Sequence, residues 1–129
     1  FFKDVLGYNQ ILLVYCQPLM RNAMDEVFTF LDFFRKQRDW TKFHSSKNLT
    51  MAIASESGEL LDLFLWDRAD DLDSEKVEEE LADIVTYCIY LANNFKINLL
   101  DAVIKKAVEN NVKYPIAKAK GTAKKYNQL

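Results

Sequence analysis

Glycine, proline, histidine and cysteine are all scarce in this chain of 129 residues, and each scarcity excludes something. Three glycines and two prolines cannot supply the turns that an all-β chain needs at short, regular intervals, so long helices are the default. A single histidine, His44, cannot supply the ligand set of a zinc site. Cys16 and Cys88 are isolated, with no partner at metal-ligand or redox spacing, and read as small buried apolar residues of a reducing compartment. The apolar run from Ile11 to Cys16 is far too short to span a bilayer, and no basic segment with a small-residue cleavage site precedes it. The expectation is a soluble, cytoplasmic protein. Phe1 stands where an initiator Met would, so residues are expected to have been removed ahead of it.

Hydrophobic residues make up 50% of the chain, enough for one domain with a real core and too short a chain for two. The formal charge of −2 argues against general nucleic-acid binding, but its distribution is uneven. Between Glu56 and Asp83 the acids are opposed only by Arg68 and Lys76, whereas from Asp101 onward seven lysines face only Asp101 and Glu109. An acidic centre and a basic tail suit a polyanion held through a cation. The alternative, for any one of these charges, is a solvated helix face.

Residues 1–21 are apolar without a clean period before Pro18 and are expected to form an arm or extra helix, separate from a domain over 22–129. Helical spacing of Ala23, Val27, Phe30, Leu31 and Phe34 predicts a first firm helix from about Asn22 to Gln37, and Arg38 to His44 reads as a connection. A second helix, from about Lys47 to Arg68, is apolar on nearly every side and must be buried all round, more completely than one subunit of this size manages. An oligomer with a shared core follows as an expectation. The acidic turn Asp67 to Asp73 leads to a third helix, capped by Asp73 or Ser74 and apolar to Leu91. Asn98 caps a fourth, which stops before Pro115. The fold class is therefore all-α, an antiparallel bundle of four main helices.

Glu56 and Glu59 lie three apart on the second helix, as do Glu80 and Asp83 on the third, so two helices each present a pair of carboxylates on one face. Glu56 and Glu59 share a stripe with Ala52, Leu63 and Trp66, which points them toward packed surface. Carboxylates so placed repel one another and pay for lost hydration, and a divalent cation offsets both penalties. Oxygen-only ligands select Mg²⁺ or Mn²⁺. Di-iron carboxylate bundles are excluded, because they require a Glu-x-x-His from each of two helices and the residue three on is acidic here. Taken alone, Glu80 also fits an acidic first turn stabilised by the helix dipole.

In order along the chain come Arg38-Asp-Trp-x-x-Phe-His44, Lys47-Asn-Leu, Glu56-Ser-Gly-Glu-Leu60, Phe64-Leu-Trp66, Glu80-Leu-Ala-Asp83, Tyr87, Lys106, Asn110 and Lys113-Tyr-Pro115. This series resembles the MazG-type nucleoside triphosphate pyrophosphohydrolases, and within them the dCTP pyrophosphatase group with its small bacterial and integron-borne relatives. The resemblance implies an all-α bundle that forms homodimers or homotetramers and cleaves between the α and β phosphates to give nucleoside monophosphate and pyrophosphate. It implies that Glu56, Glu59, Glu80 and Asp83 hold Mg²⁺, with Glu59, before Glu56, orienting or deprotonating the attacking water. Trp40, Lys42, His44, Trp66 and Tyr87 fall where the family shapes its nucleotide pocket, and Lys106, Asn110, Lys113 and Lys124 where it meets phosphates. One position departs. The dCTP-specific members carry a nucleotide-contacting histidine nine residues before the tryptophan of the Arg-Asp-Trp motif, and here that residue is Leu31.

The roles are physically coherent. Trp40 and Trp66 offer flat faces for a base, although large aromatics also build cores, and His44 beside Phe43 fits an ordinary loop or core histidine nearly as well. The leading expectation is an enzyme that clears deoxynucleotides, dCTP-like ones first, from the nucleotide pool. A catalytically silent helical oligomer that binds nucleotides or a protein partner is the alternative from another class, and a phosphoribosyl nucleotide or dUTP is an alternative substrate.

Overall fold

The computed structural model describes residues 10–65 and 73–129, with side chains from Ala23 onward. Every regular element among them is helical. There are four long helices, α1 (Gln10–Gln37), α2 (Ser46–Leu63), α3 (Ser74–Asn94) and α4 (Leu99–Lys113); a 3₁₀ turn at Trp40–Phe43 joins α1 to α2, and a single turn, α5 (Ile116–Ala119), and a 3₁₀ turn at Tyr126–Gln128 follow α4. The chain is all-α. Two compact units are present: Asp25–Ile97, and the start of α1 together with Asn98–Leu129.

In the first unit, local chemistry sets each boundary. α1 ends at Gln37, and two residues on the chain turns at Asp39, whose φ of 54° is the left-handed conformation that aspartate tolerates better than most residues. α2 begins where the Ser45 hydroxyl accepts from the Asn48 N–H at 3.2 Å. It closes at Leu63, five residues short of the expected Arg68. Its last turn holds Asp62 and no basic residue, which the helix dipole disfavours, and Phe64 and Leu65 already bond back three residues. Asp73 caps α3, its carboxylate accepting from the Glu75 N–H at 3.0 Å. α3 runs three residues beyond Leu91 and ends with Ile97 N–H on the Ala92 carbonyl and Lys96 N–H on that of Asn93, a Schellman closure with Lys96 at φ 55° where glycine is usual.

α2 and α3 run antiparallel. The α2 start meets the α3 end, where Asn94 Nδ2 donates to the His44 carbonyl at 3.0 Å, while Glu56 and Glu59 meet Glu80 near the α3 start. The core between them and α1 is small: Leu49, Ile89, Tyr90 and Ala92 are buried. The all-round burial expected of α2 does not occur within one chain, since Met51 is 61% and Leu61 63% exposed. Phe30 and Phe33 of α1 are exposed too.

In the second unit, Asn98 caps α4 by accepting from the Asp101 N–H at 3.0 Å, and α4 stops at Lys113, ahead of Tyr114 and Pro115. Tyr114 packs edge-on against Tyr126. α1 itself corrects the boundary expected near Asn22: it begins at Gln10 and continues through Pro18. Residues 1–9 of the proposed arm, the Cys16 side chain, and Trp66 with the acids of 67–72 lie outside the described residues. Cys88 is a free, half-buried thiol. Among the described residues, no helix is long and apolar enough to cross a membrane.

Candidate functional site

Two stripes with alternating spacings of three and four residues meet along the α2–α3 seam. On α2 the stripe is Leu49, Ala52, Glu56, Glu59, Leu63; on α3 it is Glu80, Asp83, Tyr87, Tyr90, Asn94. One side chain oxygen from each of Glu56, Glu59 and Glu80 lies within 4.8 Å of the others. Glu56 and Glu80 are half-buried and Glu59 is exposed. Partial burial, then the charges of Glu59 and Asp83, push the Glu56 and Glu80 carboxyls above their ordinary range. Asp83 is exposed and stands outside the three-oxygen cluster, but close enough for its charge to act on both.

This donor set fits a hard divalent cation. It is all oxygen, carries excess negative charge and strains against its own repulsion, all of which a cation offsets. The free thiol nearest in sequence, Cys88, and the lone His44 add no soft ligand to the cluster.

Tyr87 joins the acids to an aromatic patch. Burial first, then the charges of Glu56 and Asp83, raise its hydroxyl above the usual tyrosine range. On its other side, the His44 ring lies edge-on at 6.5 Å. His44 stacks on Tyr90 at 5.1 Å and meets Trp40 at 6.4 Å, and Trp40 in turn packs edge-on against Phe34 at 5.8 Å. Trp40 keeps 43% of its surface exposed, which leaves a face open. If a base stacks there, Trp40→Ala should raise KM roughly 5- to 150-fold with kcat little changed, the signature of lost uniform binding in steady-state kinetics. An equal fall in kcat at constant KM would assign Trp40 elsewhere.

Of the other residues singled out in the sequence, Lys42 pairs with Asp39 and lies over the Phe43 ring. Trp66 falls outside the described residues. Lys106, Asn110, Lys113 and Lys124 belong to the second unit. There Lys106 faces Glu109 at 3.7 Å and the Lys113 ammonium lies 5.6 Å from the Tyr126 ring centroid.

Four residues given no role in the sequence shape the patch, Asn48 among them although it stands in the Lys47-Asn-Leu motif. Asn48 Nδ2 donates to the Phe43 carbonyl and Asn94 Nδ2 to that of His44, which together pin the 3₁₀ turn. Tyr90 is 3% exposed and donates its hydroxyl to the Leu31 carbonyl at 3.1 Å. Arg35, 6% exposed, lies against the Tyr90 ring. Tyr90 and Asn94 continue the Glu80–Asp83–Tyr87 stripe, and that spacing was the available signal.

The profile of the MazG-like family matches residues 51–129, which includes both carboxylate pairs. The chain belongs to the MazG-like family. Among curated relatives, this MazG-like chain is 35% identical to dCTP pyrophosphatase 1 of Bos taurus over 74% of its own length and 62% of the relative. It is 33% identical to dCTP pyrophosphatase 1 of Homo sapiens over 74% of its length and 61% of that protein. It thus spans about three fifths of the curated relatives it matches. Among solved structures, a pyrophosphatase from Archaeoglobus fulgidus superposes with a TM-score of 0.67 at 38% identity, covering 72% of this chain and 93% of that one. The MazG-like all-α fold expected from the ordered motifs is the fold found.

Proposed function

We propose that this MazG-like chain hydrolyses nucleoside triphosphates between the α and β phosphates, releasing nucleoside monophosphate and pyrophosphate. The observation that carries the reading is the convergence of Glu56, Glu59 and Glu80 oxygens on a seam that continues into an aromatic patch. Acids for a cation and phosphates at one end, and rings for a base at the other, match the two ends of a nucleotide. The names of the relatives in cattle, humans and Archaeoglobus fulgidus support the same chemistry.

In this reading Glu56, Glu59, Glu80 and Asp83 hold Mg²⁺, with Mn²⁺ as a substitute; the ion supplies charge neutralisation at the phosphates and acidity to bound water. Glu59, the exposed member, orients the attacking water and takes its proton as the new phosphorus–oxygen bond forms and the α–β bridge breaks. Glu56 assists. Trp40, Lys42, His44, Tyr87 and Trp66 shape the nucleotide pocket, and the ordered motifs assign phosphate contacts to Lys106, Asn110, Lys113 and Lys124. The substrates are deoxynucleotides of the cytoplasmic pool, dCTP-like ones first. The exposed apolar side chains Met51, Leu61, Phe30 and Phe33 support a homodimer or homotetramer.

A panel of dNTPs and NTPs with Mg²⁺, products resolved as pyrophosphate or orthophosphate, tests the activity. Pyrophosphate from none of them would leave a silent nucleotide-binding oligomer as the better reading. Size exclusion with light scattering tests the assembly, and an active monomer would exclude it.

A further inference from the structure

Among the described residues, Arg35 is the one polar or charged residue that is buried. Its Nε and Nη2 both donate to a single oxygen, Asp32 Oδ1, at 3.0 and 2.8 Å, while Lys36 takes the other oxygen of Asp32. Nη1 is buried and has no partner among the described residues. As an anchor for α1 alone this is an expensive choice, because a well-packed apolar side chain generally replaces a buried ion pair at no loss of stability. What arginine adds is a fixed positive charge beside a particular ring. Its Cζ lies 4.8 Å from the Tyr90 centroid, and the same ring carries the His44 imidazole at 5.1 Å with 30° between the planes.

His44 is held at two points, its carbonyl by Asn94 and its ring by Tyr90. Its Nδ1 is buried without a partner among the described residues, whereas Nε2, also without one, is not buried. A proton on Nδ1 would be a buried donor with no acceptor, and the positive charge of Arg35 on the shared Tyr90 ring opposes a further proton on the imidazole. Protonating both nitrogens would add a second positive charge to the stack. The charged and titratable groups around His44 are Arg35 from α1 and Tyr87 and Tyr90 from α3; Arg38 lies 5.8 Å from the centroid of Trp40, the ring His44 also meets, and Glu56 and Asp83 act on Tyr87. Burial, then Arg35, hold His44 below the ordinary 6.5.

We propose that Arg35 is a positioning residue for His44: through the shared Tyr90 stack it keeps the imidazole in the neutral Nε2–H form, whose outward nitrogen donates one hydrogen bond to an acceptor on the base of the bound nucleotide. The base contact rests on the triphosphate reading above; the state of the imidazole does not. A neutral donor selects for an acceptor atom. An imidazolium would instead attract phosphate from any nucleotide and compete with the cation for the acids.

His44 is the single histidine of the chain, so ring ¹⁵N spectra of the intact protein report on it without ambiguity. At pH 7 the wild type should show the Nε2–H tautomer; an imidazolium or an Nδ1–H ring overturns the proposal without any variant. In Arg35→Met the titration midpoint should move up, and at a pH between the wild-type and variant midpoints KM for the nucleotide should be roughly 5-fold above wild type, the weight of one hydrogen bond, with kcat moved far less. Arg35→Lys restores the charge without the guanidinium fork, and should return both midpoint and KM toward wild type. An unchanged midpoint in a folded Arg35→Met variant, or a lysine variant no better than methionine, removes the proposal. Loss of pyrophosphate release from the wild type alongside the expected His44 spectrum would sink the hydrolase reading and leave the role of Arg35 in setting the imidazole state standing.

Discussion

Glu59→Gln should lower kcat by roughly 10²- to 10⁴-fold while leaving the helices intact. The change keeps shape and hydrogen-bonding capacity but removes the one function a general base requires. Glu59 is suited to that function because it is the exposed carboxylate of the cluster and so the one that water reaches. Its charge is also the first electrostatic cause, after burial, that raises both Glu56 and Glu80. Neutralising it relieves that repulsion, so the metal-free variant should melt no lower than wild type at neutral pH. Loss of activity without loss of stability separates a chemical role from a structural one. Full pyrophosphate release in the variant, measured over the same nucleotide panel, would defeat the assignment.

Withdrawing the cation should have the second largest effect. Chelation should stop turnover, and re-addition of Mg²⁺ at about 100 times its Kd should stabilise the fold by ~2.7 kcal/mol through ligation to the native state alone. The pH dependence has a definite sign. A carboxyl whose folded pKa is raised contributes stability that is present below its unfolded value, near 4.5, and lost as pH rises through the raised value. The metal-free protein should therefore gain from this pair as pH falls from neutrality into the carboxylate range. The metal-bound protein should lose, because protons and cation compete for the same oxygens. Melting curves with and without Mg²⁺ should converge on acidification. Parallel curves, or a Mg²⁺ shift that survives in Glu80→Gln, would place the cation elsewhere.

Much of this was legible in the sequence because it rests on local rules. Asp73 and Asn98 announce helix starts, Pro115 forces a stop, and the three-residue spacings of Glu56–Glu59 and Glu80–Asp83 put each pair on one face. Other features depend on partners distant in the chain. The bond from Tyr90 to the Leu31 carbonyl crosses 59 residues, and although Tyr90 falls on the Glu80–Asp83–Tyr87 stripe, nothing near either position marks it as a donor to α1. Arg35 sits in a basic helix end that reads equally well as a dipole complement. The early end of α2 is not visible in the sequence, because the apolar pattern continues past Leu63 although the helix does not. In the other direction, Pro18 suggested a boundary, yet α1 passes through it.

The α3 stripe makes the helix a ruler. From Glu80 to Tyr87 is seven residues, about 10 Å along a helix axis, and the acids and the rings are fixed to the same rod. No side chain rotation can change that spacing along the axis, so a ligand that reached both would be gauged by the distance between its anionic end and its flat end before any single contact read its identity. One residue inserted between Asp83 and Tyr87 would delete nothing, yet it would swing the aromatic half by about 100° off the seam.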